Sequence, residues 1–179
     1  MSWNIHIIDD FLPKDIFNNI YENIGKLSFS PMYIKNNKGE DKDAHIFFSH
    51  AIHSDDNFIT TIKENVRKKF RQEMKRINLA AWTLTNAQEP APHFDIEKFP
   101  GERHLMIYIK GDQEVNSGTG FYIENKDKGH DLNTHIGFKK NRAVLFSAKN
   151  CMHSPLLWNS TSMGRYACLV WFESVDYHD

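Results

Sequence analysis

The sequence predicts a single α+β domain, mainly β, in which N-terminal helices cover a strand-rich core. Three observations carry this. Helical apolar spacing is confined to roughly the first 78 residues. From Leu79 onward the apolar residues fall into short runs. Turn residues separate those runs at near-regular intervals. A chain of 179 residues is long enough for one compact domain and short for two. The expected organisation is therefore one domain over 1–179, with a helical cover over 1–78 and a β-rich core over 79–175.

Trp3 to Asp9 reads as a short apolar strand, closed by Asp9-Asp10-Phe11-Leu12-Pro13. Pro13 suits the first turn of a helix, and Ile16, Ile20 and Ile24 continue at helical spacing to about Leu27. Asn36 to Asp43 is polar and charged and reads as a loop. Asp55 and Asp56 offer N-cap oxygens for a second helix. Its stripe of Ile59, Ile62, Val66, Phe70, Met74 and Ile77 predicts a helix that continues to about residue 77. The basic residues Arg67, Lys68, Lys69, Arg71, Lys75 and Arg76 then form its solvated face. A net charge of −1 gives no reason to read them as a nucleic-acid surface.

The later runs are Leu79–Thr85, His104–Ile109, Gly120–Glu124, Ala143–Ser147, Pro155–Trp158 and Arg165–Phe172, punctuated by turns such as Pro100-Gly101, Lys128-Gly129 and Met163-Gly164. The pattern fits a sandwich, a jelly roll or a barrel. Thirteen Phe, six Tyr and four Trp can fill such a core with few residues. Two cysteines, Cys151 and Cys168, exclude a disulfide framework as the basis of stability. No basic leader precedes an apolar run at the start, and no stretch approaches 18 apolar residues. A cytoplasmic protein without a membrane or nucleic-acid partner is expected, its oligomeric state open.

Pro92-His93-Phe94-Asp95 lies at a strand edge. Residues i and i+2 of a strand share a face about 7 Å apart, so His93 and Asp95 can converge on one point. His153, in Cys151-Met152-His153-Ser154-Pro155, is a further candidate ligand. Two histidines and a carboxylate with open positions suit non-haem Fe(II). In a chain with ten histidines one His-x-Asp is a weak signal, and a surface histidine near a turn explains it equally well.

Arg165 adds weight. On period two it shares a face with Ala167, Leu169 and Trp171, while Tyr166, Cys168, Val170 and Phe172 share the other. Both faces are apolar, so the strand reads as central. An arginine there needs an anion, because an unpaired buried charge is very costly. A dicarboxylate ligand would supply one by a bidentate bond. Pairing with Glu124, or a place at the exposed strand start, are the alternatives.

These pieces occur in an order that resembles the Fe(II)/2-oxoglutarate dioxygenases, most closely the prolyl 4-hydroxylase-like branch. They are His93-Phe94-Asp95, Leu105 to Lys110, Gly118-Thr119-Gly120-Phe121, Asn141 to Phe146, His153 and Gly164-Arg165-Tyr166. The stretch from Pro92 to Phe172 is nearly half the chain, and Ile7 to Pro13 looks like the lead-in to such domains. The resemblance implies a double-stranded β-helix (jelly-roll) core. It implies Fe(II) held by His93, Asp95 and His153. It also implies 2-oxoglutarate and O2 as cosubstrates, with Arg165 on the distal carboxylate. Tyr108 matches a family tyrosine that can bond the same carboxylate, although a core tyrosine satisfied elsewhere explains it equally well. The implied reaction is hydroxylation of a peptide, protein or small-molecule substrate, peptidyl (prolyl-like) or amino-acid, with succinate and CO2 as coproducts. Asp95 favours hydroxylation, since halogenating relatives leave that position without a carboxylate.

There are departures from the pattern. Thr83 stands where the family often has a tyrosine, and Lys110 where it has asparagine. Trp171 occupies the position at which nucleic-acid demethylases carry a second arginine, which argues against that activity. A non-catalytic, cupin-like metal- or ligand-binding jelly roll is the competing class. His104 shares a strand face with Met106 and Tyr108 and is expected as a packed bystander. His130 and His135 are expected to have no role, and Cys151 to be an inert buried thiol. Asn36 to Asp43 and Lys126 to Asn133 are the loops expected to choose the substrate.

Overall fold

The computed structural model describes residues 4–31, 34–35, 41–42, 47–53, 55–85, 92–95, 100–111, 117–147, 149–157 and 164–176. In chain order the elements are β1 (His6–Ile8), α1 (Lys14–Asn23), β2 (Ser30–Pro31), β3 (Ile34–Lys35), β4 (Asp41–Lys42), β5 (Phe47–Ala51) and α2 (Asn57–Asn65). They continue with β6 (Gln72–Thr85), β7 (Glu102–Lys110), β8 (Ser117–Glu124), β9 (His130–Gly137), β10 (Ala143–Ser147), β11 (Met152–Leu157) and β12 (Arg165–Asp176).

A seven-stranded sheet in the order β1-β10-β7-β12-β6-β5-β2 faces a three-stranded sheet in the order β11-β8-β9, and every pairing is antiparallel. The period of two sorts the core of the large sheet into two layers. Leu105, Ile107, Ile109, Ala143, Leu145, Cys168, Val170 and Phe172 pack under the helices with Ile59 and Ile62 of α2. Their sequence neighbours Met106, Tyr108, Val144, Phe146 and Ala167 face the small sheet, where they meet Phe121 and Ile136. This is a jelly roll covered by helices on one face.

α1 starts after Pro13 and runs into a 3-10 turn over Ile24–Lys26, as the isoleucine spacing predicts. α2 is capped by the Asp56 carboxylate, which accepts from the Phe58 amide at 2.8 Å. The second helix does not continue to residue 77. It ends in a π-helical turn over Val66–Phe70, and Arg71 adopts a left-handed conformation with φ of 57°. Met74, Lys75, Arg76 and Ile77 instead belong to β6. The helical spacing of Met74 and Ile77 misled because the β6–β12 register shifts twice in this region, between Trp171 and Phe172 and between Glu173 and Ser174. Each bulge skips one β6 residue, and both Met74 and Ile77 pack in the helix-side core.

Five strands escape sequence reading. β2 and β5 extend the large sheet beyond β6, β3 and β4 pair with each other, and β9 occupies the polar stretch thought to be irregular. Of the two loops expected to choose the substrate, 126–129 is a turn and His130 to Asn133 lie in β9. In the other, Asp41-Lys42 forms β4, while 36–40 and 43 fall outside the described residues. Among the described residues no helix is long and apolar enough to cross a membrane.

Asn141 ties the lead-in segment to this core. It sits at φ of 61°, a conformation asparagine tolerates. Its side chain accepts from the Leu12 amide at 2.8 Å and donates to the Leu12 carbonyl at 2.9 Å. Its own backbone pairs with Phe11 and Tyr108. Asp9 adds a bond to Arg142 Nε at 2.6 Å and to Lys139 at 2.7 Å, which hold its carboxyl down at about 2.

Candidate metal and cosubstrate site

His93 lies outside the named strands but forms an antiparallel bridge with His153. The amide of each donates to the carbonyl of the other, at 3.0 and 2.9 Å. Phe94 points outward and is half exposed, whereas Asp95 returns to the side of His93. One nitrogen or oxygen from each of His93, Asp95 and His153 lies within 4.8 Å of the others. The closest approaches are 3.9 Å from His93 Nε2 to Asp95 Oδ1 and 3.7 Å from His153 Nε2 to Asp95 Oδ2.

The protonation pattern suits a cation. Nδ1 of His153 is 3.0 Å from the Cys151 carbonyl. A carbonyl only accepts, so the hydrogen sits on Nδ1 and the Nε2 lone pair is left facing Asp95. Burial pushes the His153 imidazole down to about 3. Burial opposes ionisation of Asp95, whereas its contact with His104 favours it and holds the carboxyl below the usual range. At neutral pH an anionic carboxylate thus stands beside a neutral imidazole, the state in which both ligate a divalent metal.

His104 is packed, as expected, and it lies against the cluster. It is buried, and its Nδ1 approaches Asp95 Oδ2 obliquely at 2.8 Å. Its ring stacks on Trp171 at 4.2 Å, and the indole Nε1 donates to the same Asp95 oxygen at 3.1 Å.

The second part of the site lies along the same strands. Arg165 is buried, with only 5% of its surface exposed. Its Nη1 donates to the Gly118 carbonyl and lies 3.5 Å from Thr119 Oγ1. The guanidinium stands 5.4 Å from the centre of the Tyr108 ring, and Nε is buried without a partner. Among the described residues no carboxylate reaches Arg165, and burial pushes its pKa down. Glu124 is exposed at the far end of β8. Tyr108 is fully buried, and its hydroxyl donates to Thr119 Oγ1 at 2.8 Å.

Thr119 was not singled out from sequence. Its one signal is a lone hydroxyl between two glycines, sharing a strand face with Phe121. Thr83 Oγ1 donates to the Ala167 carbonyl at 3.3 Å, so it is spent on the β12 backbone. Cys151 and Cys168 are both buried, free thiols whose pKa burial raises.

The ladders set the spacing between the two parts. His153 pairs with Phe121, and Thr119 is two residues along the same strand. The basic anchor and the His/Asp cluster are therefore separated by about 7 Å along β8, a step that a five-carbon dicarboxylate spans. Apolar Met106, Phe121, Val144 and Phe146 line the interior between and beneath them.

No protein-family description and no curated protein matches the chain. Solved structures do. A prolyl hydroxylase of Trichoplax adhaerens, in complex with a hypoxia inducible factor oxygen degradation domain peptide fragment, superposes with a TM-score of 0.64 at 14% identity. The match covers 94% of this chain and 82% of that one. A Pseudomonas putida prolyl-4-hydroxylase gives 0.61 at 11% identity, over 96% and 94% of the two chains. The viral collagen prolyl hydroxylase of Paramecium bursaria Chlorella virus-1, in its 2OG complex, gives 0.55 at 18% identity, over 93% and 94%. The chain thus has the jelly-roll fold of the prolyl 4-hydroxylase-like oxygenases over nearly its whole length.

Proposed function

We propose that this protein is an Fe(II)/2-oxoglutarate-dependent oxygenase. Its substrate is a peptidyl, prolyl-like residue or an amino acid, and succinate and CO2 are the coproducts. The observation that carries the reading is a buried Arg165 that no acidic side chain reaches among the described residues, about two strand positions from His93, Asp95 and His153. A buried guanidinium without an anion is costly, and the ligand that relieves it must bring an anionic group, as the distal carboxylate of 2-oxoglutarate does. A cupin-like metal site alone would leave Arg165 without a purpose.

In this reading His93, Asp95 and His153 hold Fe(II), with His153 using Nε2. Bound Fe(II), together with 2-oxoglutarate and O2, supplies the oxidising chemistry. The protein's own groups bind, orient and shield. Arg165 takes the distal carboxylate of the cosubstrate, with Thr119 and Tyr108 in reach of the same oxygens. The apolar walls exclude water. His93 and Phe94 form the more exposed rim, so the substrate approaches from their side. The Trichoplax neighbour was captured with a peptide, which favours a peptidyl substrate for the same cleft.

The test needs no substrate. Fe(II) and then 2-oxoglutarate are added to the protein without oxygen, and the visible spectrum is recorded. A weak charge-transfer band that disappears in His153→Ala supports the assignment. A folded protein that gives no band would leave the non-catalytic ligand-binding module as the better reading.

A further inference from the structure

We infer that His104 is a positioning residue: with Trp171 it engages Oδ2 of Asp95 and so fixes how the carboxylate faces the metal. This rests on the metal centre proposed above. A carboxylate can grip an ion with one oxygen or with both, and the choice changes how many positions stay open to other ligands. Here the two oxygens have unlike surroundings. Oδ2 receives the Trp171 indole N–H at 3.1 Å and has His104 Nδ1 at 2.8 Å. Oδ1 faces His93 Nε2 at 3.9 Å, while Oδ2 also stands 3.7 Å from His153 Nε2.

His104 has little else to do with its polar atoms. Its side chain is 3% exposed, and both ring nitrogens are buried without a well-directed partner. A buried N–H left unpaired is costly, and Asp95 Oδ2 is the acceptor at hand. The ring cannot easily turn away. Trp171 stacks on it at 4.2 Å, and Phe146 stands at 4.7 Å on tilted planes. The strand ladders fix this arrangement, because His104 on β7 is the cross-strand partner of Trp171 on β12 and of Phe146 on β10. Nδ1, 2.8 Å from Asp95 Oδ2, is therefore the His104 nitrogen that takes the hydrogen. The imidazole acts on the metal only through the carboxylate.

The test uses Co(II) as the probe with the full chain, without 2-oxoglutarate or oxygen. Affinity is read by titration, and ligand number by the intensity of the visible d–d bands. His104→Leu removes the donor and keeps the bulk. It is expected to weaken Co(II) binding by about 10- to 100-fold, the usual cost of losing an outer-shell partner, and to alter the band intensity. His104→Gln, which keeps an N–H donor, should recover most of the affinity. Trp171→Phe keeps the stacking and drops the second donor, and should lose a smaller factor; it serves if His104→Leu does not fold. Wild-type affinity and spectrum in His104→Leu, or equal losses in the Leu and Gln variants, would overturn the inference, as would an unchanged Trp171→Phe. A different failure marks the metal centre itself. If Asp95→Ala binds Co(II) as the wild type does, the centre is misassigned and the role of His104 falls with it.

Discussion

Replacing Arg165 by methionine should move protein stability and cosubstrate binding in opposite directions. The ligand-free protein loses a charged hydrogen bond to the Gly118 carbonyl, of order 1.5–3 kcal/mol, and a contact with the Tyr108 ring, about 0.5–2 kcal/mol. It also sheds a buried guanidinium whose desolvation costs several kcal/mol and whose Nε has no partner. The two sides nearly cancel, so the melting temperature should stay within a few degrees of wild type or rise, at roughly 2–4 °C per kcal/mol for a chain of this size. Binding behaves differently. Truncating one side of a buried charged pair costs about 2–5 kcal/mol, which corresponds to some 30- to several thousand-fold in affinity. Differential scanning fluorimetry with Mn(II), with and without 2-oxoglutarate, reads both effects. The wild type should gain melting temperature with the cosubstrate and the variant should not. A fall of more than about 8 °C without ligand, combined with an intact 2-oxoglutarate shift, would show that Arg165 is a structural cation and refute the argument.

Other positions give sharper structural tests. Asn141→Ala leaves the amide and carbonyl of Leu12 unpaired in a buried place, and should cost about 2–4 kcal/mol by chemical denaturation. Gly118→Ala should be at least as damaging, about 3 kcal/mol or more. Gly118 has φ of 143°, and a Cβ there would stand 2.0 Å from the Ile136 carbonyl oxygen. Because the Gly118 carbonyl also receives Arg165, any folded fraction should show a reduced 2-oxoglutarate shift. Asp9→Asn tests the ion pairs at the lead-in. The Asp9 carboxyl is held near 2 against an ordinary 3.8, chiefly by its bonds to Arg142 and Lys139. Its contribution is therefore complete above about pH 4 and fades as the pH falls toward 2. Partial exposure limits it to about 1 kcal/mol. Denaturation of both proteins at pH 7 and pH 2.5 should show a stability gap that narrows at the lower pH.

What the sequence revealed follows from where period and chemistry coincide. β12 was legible from Arg165 to Phe172, because both faces of that stretch are apolar and its one charge opens it; the structure puts Cys168, Val170 and Phe172 under the helices, turns Arg165 and Trp171 toward the site and continues the strand to Asp176. The nearness of His93, Asp95 and His153 was expected from two sources: i, i+2 spacing put His93 and Asp95 on one side, and the family resemblance added His153. β9 was not, since it is an edge strand with four exposed residues at its start and only Ile136 buried. The end of α2 was not legible either, because bulges imitate a helical period when seen in one dimension. The places of His104 and Thr119 beside the site were not legible for a different reason. Each meets another residue's polar atom, and that kind of contact has no spacing rule.

The reciprocal backbone pair between His93 and His153 bears on how the site assembles. Two of the three candidate ligands are joined by the same kind of bond that builds the sheet, so their bite is set when the chain folds. The third, Asp95, hangs from a short arm that side chains steady. On the reading above, a metal ion meets a ready-made bidentate clasp and waits on the carboxylate to close the ring. Selection among ions of similar size then depends less on the imidazoles than on how stiffly that arm is held.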